Sequence, residues 1–177
     1  MKTREKFGSD LVNNLLRKDA AEVACEADLR NLDAQVGSAC LNGLLMQRIY
    51  NKDGSTGAWI SEKTNPAHIA ANIATDPTTI IRGRHTEIES DVTIGKNTTI
   101  KNTRIGHEAA IGNETVLECS SIGKRAKIGD HVFISNTHIH KDVTICDNVV
   151  MISSAIGQDI RIPAGAEIKN ETIKRRG

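Results

Sequence analysis

The sequence predicts a mainly β protein: a parallel β-helix with 17-residue coils, preceded by an α-helical N-terminal segment. Three observations predict it. The first is a register of large aliphatic residues at Ile88, Ile94, Ile100, Ile105, Ile111, Leu117, Ile122, Ile128, Ile134, Ile139, Ile145, Met151, Ile156, Ile162, Ile168 and Ile173. The steps are 6, 6 and 5, repeated without error, and fourteen of the sixteen positions are isoleucine. The second is that the residue two before each marker is small or β-branched, from Thr86 and Val92 through to Ala166, with Glu171 as the exception. Residues two apart share one face of a strand, so each unit is a short strand with one large and one small side chain inward. The third is the corners. Glycine follows the marker at Gly95, Gly106, Gly112, Gly123, Gly129 and Gly157, where the expectation is a residue free to take positive φ. Asn102, Asn136 and Asn170 occupy the shortened corner in alternate coils, with Cys119 and Ser153 in the same column between them. An α-helix would scatter isoleucines spaced this way around its circumference.

The chain divides by this pattern into a helical segment over 1–75 and a β-helix over 76–177. In the first part, Ser9 is positioned to cap a helix through Leu11, Val12, Leu15 and Leu16. Asp19 and Glu22 have capping-box spacing ahead of Val23, Ala27 and Leu32. Ser38 heads a third helical segment through Leu41, Leu44, Leu45 and Ile49, closed by a turn at 51–54. Asn65-Pro66 starts a short helix through Ala74.

Composition excludes several function classes. A net charge of +1 offers no electrostatic footprint for nucleic acid or an anionic membrane surface. No apolar run is long enough to span a bilayer, and the first residues lack the apolar core of a signal peptide. The four cysteines, Cys25, Cys40, Cys119 and Cys146, have no C-x-x-C or disulfide-framework spacing, which reads as reduced thiols in a cytoplasmic protein. With only four aromatic residues, the core must be aliphatic and narrow.

Stretches such as Ile100-Lys-Asn-Thr-Arg-Ile-Gly and Ile122-Gly-Lys-Arg-Ala-Lys-Ile-Gly resemble the left-handed β-helices of the hexapeptide-repeat family. The nearest resemblance is to the C-terminal domains of sugar nucleotidyltransferases and to hexapeptide acyltransferases, and it covers roughly residues 76 to 173. Asp76-Pro-Thr-Thr-Ile-Ile, ahead of the first coil, fits the same likeness. Left-handedness follows from the resemblance alone, since parallel crossovers in general are right-handed. The resemblance implies acyl transfer from acetyl-coenzyme A or another acyl-coenzyme A, as a co-substrate and with no tightly bound cofactor. It implies a sugar or amine acceptor and a homotrimer. No Gly-rich phosphate loop or nucleotidyltransferase signature occurs before residue 80.

A β-helix is a scaffold, so function must come from sites. The histidines are His68, His85, His107, His131, His138 and His140, and the one cluster is Asn136-Thr-His-Ile-His-Lys-Asp142. Acyltransferases of the family place a histidine as general base near a cleft between subunits, which makes His140 and His138 the catalytic candidates. His140 with Asp142 resembles the histidine–acid pairing of some sugar N-acetyltransferases. No metal is expected: the γ-carbonic anhydrases of this fold use a histidine pair five apart, and residues 131, 138 and 140 do not have that spacing. Active relatives also carry a long loop between coils and a Gly/Ala-rich last coil. Here the loop is missing, and only Pro163-Ala-Gly-Ala166 matches the latter. A non-catalytic oligomerisation or regulatory module is the alternative.

Residues one before a marker face outward. In one strand column they are Val116, Phe133 and Val150, whereas the other two columns carry Arg104, Ser121, His138, Ala155 and Ala110, Lys127, Thr144, Arg161. Three stacked apolar side chains predict a contact surface, covered by further copies of the chain or by the N-terminal segment.

Overall fold

The structure is a computed structural model that describes residues 20–176. Its coils stack as three parallel sheets, and residues 17 apart pair in register: Ile94, Ile111, Ile128, Ile145 and Ile162 form one column. The sheets have ten, six and six strands. Each coil strand is only two or three residues long, because the chain must turn after every marker. The markers from Ile88 to Ile168 are buried, and they form one continuous core with the small residues Val92, Ala109, Ala126, Val132, Val143 and Val149. Buried hydroxyls in the small column are satisfied locally: Ser120 Oγ donates to Glu118 O at 2.6 Å, and Thr137 Oγ1 to Ser135 O at 2.9 Å. This is the parallel β-helix that the repeat predicts, left-handed as the family resemblance implies.

The corners work differently from expectation. The shortened corners carry left-handed backbone as predicted, at Asn102, Cys119, Asn136, Ser153 and Asn170 (φ 47–55°). Each donates its N–H to the preceding coil, for example Cys119 to Lys101 O and Asn136 to Glu118 O. At the longer corners, positive φ falls three residues after the marker, on residues such as Glu108, Arg125 and Asp142. The glycines directly after the markers are not left-handed. All but Gly157 are required by close approach: a Cβ on Gly112 would lie 2.4 Å from Gly129 O, and one on Gly123 would lie 2.5 Å from the backbone at His140–Lys141.

The helical expectation over 1–75 is corrected where the chain is described. The segment capped by Ser9 lies outside the described residues. Around the Asp19–Glu22 box there is a strand, β1 (Ala21–Val23), and the helix that follows, α1 (Glu26–Arg30), is a little over one turn. Ser38 begins a strand, β2 (Ser38–Leu41), which pairs antiparallel with β3 (Leu44–Tyr50), and β3 in turn pairs antiparallel with β4 (Thr56–Ser61). Asn42 and Gly43, at φ 48° and 79°, make the two-residue hairpin turn. The helix from Pro66 is a single 3₁₀ turn, Pro66–His68, with Asn65 Oδ1 accepting from Ala67 N–H at 3.0 Å. It stops there because the chain enters the solenoid: Ile69 pairs with Ile88, Thr75 with Ile94 and Ile81 with Ile100. The first coil therefore lies upstream of the expected boundary at 76.

These strands close one end of the β-helix. β4 pairs parallel with Ile80–Arg82, so β1–β4 extend the ten-stranded sheet beyond the coils. α1 lies on that sheet's outer face, where Leu29, Trp59 and Ile80 are fully buried in a second, smaller core. Arg48 locks the arrangement. Its guanidinium stacks 3.8 Å from the Trp59 ring centroid and donates to the carbonyls of Val36, Gly57 and Pro77. Burial lowers its pKa, opposed by Tyr50, Asp76 and Asp33.

Candidate functional site

Two adjoining grooves run along the corner between the first and second sheets. The repeat builds the first, since columns 17 apart place Cys119 beside Asn136 and Ser121 beside His138. It has a volume of about 500 Å³ and a polar floor that includes Ser120, Thr137 and Ser154. The second, of about 370 Å³, lies between the N-terminal strands and the first two coils and is lined by Ser61, Lys63, Arg82, Arg84 and Lys101. His85 and Asn102 line both, so the two form one trough.

His138 lies on a strand of the second sheet and faces outward into the first groove; His140 follows at the corner. Both are exposed, and their rings meet edge to face with centroids 4.7 Å apart. Asp142 does not pair with His140. Arg125 Nε and Nη2 donate to its two carboxylate oxygens at 2.7 and 2.9 Å. That hydrogen bonding holds the Asp142 carboxyl below its usual pKa and raises that of Arg125. Asp142 is thus taken up by the neighbouring coil, because Arg125 sits one repeat before it in the same left-handed corner position. The histidines that do have acidic neighbours are others. His107 Nδ1 is 2.7 Å from Ser90 Oγ, its Nε2 is 3.4 Å from Glu108 Oε1, and His131 Nδ1 is 3.2 Å from Glu114 Oε2. Neither lines the trough.

A third groove of about 580 Å³ opens at the far end of the coils. Pro163 and Ala164 line it with Lys127, Cys146 and Arg161, so the Pro163-Ala-Gly-Ala segment does border a cavity. Among the described residues no three His, Cys, Asp or Glu side chains converge as a metal site, and no helix is long and apolar enough to cross a membrane.

The 6-6-5 register from Ile88 to Ile173 and the three parallel sheets of stacked coils settle the structural type. This is a hexapeptide-repeat β-helix. No family model matches the chain, and no curated protein does. Among solved structures, one from Bacillus cereus described as a "putative acetyltransferase" is matched at 18% identity. The match covers 55% of this chain and 69% of that one, with a TM-score of 0.23, too distant to inform the chemistry here.

Sequence reasoning missed the part of the trough contributed by Arg82, Gly83, Arg84 and His85. The signal was present as a break in the repeat. The first coil runs Ile69, Thr75, Ile81, and its corner before Ile88 is two residues longer than the corner between Ile100 and Ile105.

The stripe residues Val116, Phe133 and Val150 pair in register on the outer face of the ten-stranded sheet and are half-buried. Their column continues upward through Thr99 to Ile80 and Trp59, the floor of the small core under α1.

Proposed function

We propose that this β-helix transfers an acyl group, acetyl in the simplest case, from acyl-coenzyme A to a sugar or amine acceptor, as a homotrimer. The observation that carries this reading is His138, which lines a polar groove of about 500 Å³ and meets the ring of His140, itself outside the lining, edge to face. An exposed imidazole beside a groove can take the proton from an acceptor hydroxyl or amine as that group attacks the thioester carbonyl. The tetrahedral intermediate then expels the coenzyme thiolate, which the same imidazolium protonates. Asn136 and Ser121 supply hydrogen-bonding groups along the groove for a hydroxylated acceptor. Since Asp142 is engaged by Arg125, the imidazole of His140 is not oriented by that carboxylate.

Acetyl transfer to a panel of hexosamines and alkyl amines, followed by free-thiol release, tests the proposal. His140→Ala and His138→Ala should abolish turnover while leaving the circular dichroism spectrum and melting temperature unchanged, because neither exposed side chain supports the core. A titration showing no acetyl-coenzyme A binding would overturn it. The second reading, a non-catalytic oligomerisation or regulatory module, is favoured by the coils from Ile88 to Ile173, which run without an inserted loop to cover a substrate.

A further inference from the structure

We propose that the groove between the N-terminal strands and the first two coils binds the phosphate groups of a small phosphorylated ligand, such as a nucleoside diphosphate. The inference stands apart from the acyl-transfer reading.

Its first support is charge. The lining holds four cationic side chains, Lys63, Arg82, Arg84 and Lys101, and no carboxylate. Two of the four are partly committed: Arg82 Nη2 is 2.8 Å from Glu26 Oε1, and Lys101 Nζ is 4.0 Å from Glu118 Oε1. Both acids lie outside the lining. Lys63 and Arg84 have no ion-pair partner among the described residues. Arg82 Nε is buried and makes no hydrogen bond. Like charges gathered in a concave site are mutually repulsive and gain from a multivalent anion; phosphate suits arginine in particular, through paired N–H donors.

The second support is the origin of the wall. An otherwise unbroken repeat is interrupted once among the described coils, by the two extra residues of the Ile81–Ile88 corner. That corner carries Arg84 and His85 out to the groove rim, both exposed. Gly83 makes the excursion feasible. It has φ +102°, and a Cβ there would lie 2.2 Å from Asn102 Oδ1. Asn102 in turn accepts from His85 N–H at 3.4 Å. The wall opposite comes from a different part of the chain, Leu44 on β3 with Ser61 and Lys63 at the end of β4. Leu44 adds an apolar surface for the organic part of the ligand. The shape and charge thus need both the broken coil and the hairpin cap.

Isothermal titration of the full chain with inorganic pyrophosphate, with ADP and with coenzyme A tests this. Pyrophosphate and ADP should bind, more weakly as salt rises. Arg84→Glu and Lys63→Glu, both at exposed positions, should each weaken binding by roughly tenfold or more, since each replaces an attraction with a repulsion. His138→Ala, at the far end of the trough, should leave pyrophosphate affinity unchanged. Absence of pyrophosphate and ADP binding by the wild-type chain would overturn the proposal, and so would binding that survives the Lys63→Glu/Arg84→Glu double substitution. Pyrophosphate binding without coenzyme A binding would support this cleft while removing the acyl-transfer reading. Displacement of pyrophosphate by coenzyme A would support both.

Discussion

At the scale of single residues, the core and the surface corners answer to different physics. Ile128 is 4% exposed and sits mid-column between Ile111 and Ile145, enclosed by a ring of coils too narrow to relax. Ile128→Ala should therefore cost about 2–5 kcal/mol in chemical denaturation, the upper half being expected if the cavity stays open. A loss well below 2 kcal/mol would mean a looser core than the register implies. The Arg125–Asp142 pair is open to water, and its contribution is correspondingly small. Its sign is nonetheless fixed. Asp142 has a depressed pKa in the folded chain, so the pair stabilises above the ordinary carboxylate value, near 3.9, and the contribution is lost as pH falls through the folded value. Melting temperatures of wild type and Asp142→Asn should differ by a small constant amount from about pH 8 down to about pH 5, and converge only below the ordinary carboxylate range. A gap that widens in acid would contradict the pairing.

At the scale of elements, the repeat was legible because its period is enforced at every turn, whereas the cap was not. Leu41, Leu44, Leu45 and Ile49 fit a helical face by spacing, yet they lie on two strands of a hairpin. Local pattern could not separate the two, but Asn42-Gly43 between apolar runs is a hairpin signal that outweighs the helical spacing. The tertiary reason is the sheet itself: the first coil has an unpaired edge at Ile80–Arg82, and β4 pairs with it. The corner glycines show a related limit. Their positions were readable, but the cause is a neighbouring coil one turn away, which sequence periodicity locates without showing its distance. In the candidate site, His138 and His140 were readable as a cluster, and Asp142 was misjudged because its partner, Arg125, is remote in sequence and adjacent in space. The cationic end of the trough was missed for the same reason, since Lys63 and Arg84 meet only through the hairpin cap.

At the scale of the whole molecule, the outer face of the ten-stranded sheet carries the surface that the proposed assembly would bury. Trp59 and Ile80 in its central column are fully buried under α1, and Thr99 is shielded by Arg30, which donates to its hydroxyl. Beyond Thr99 the column continues as Val116, Phe133 and Val150, half-buried and apolar, before ending at Glu167. A stripe of three stacked apolar side chains favours a cover, and burying each would contribute at most about 1.5–3 kcal/mol. Closed threefold symmetry covers one such stripe per subunit and leaves no free edge, which is why the proposed assembly is a homotrimer. Phe133→Asp places a carboxylate at the centre of the stripe, where closing the interface would strand it without a partner. Light scattering of this variant should then give the mass of one chain, or aggregates far above three, against a wild-type mass of three. If the variant remains trimeric, the stripe is covered instead by the chain's own N-terminal residues, where Leu11, Val12, Leu15 and Leu16 are spaced to present an apolar face. A wild-type mass of a single chain would remove the trimer outright, and with it a catalytic cleft between subunits.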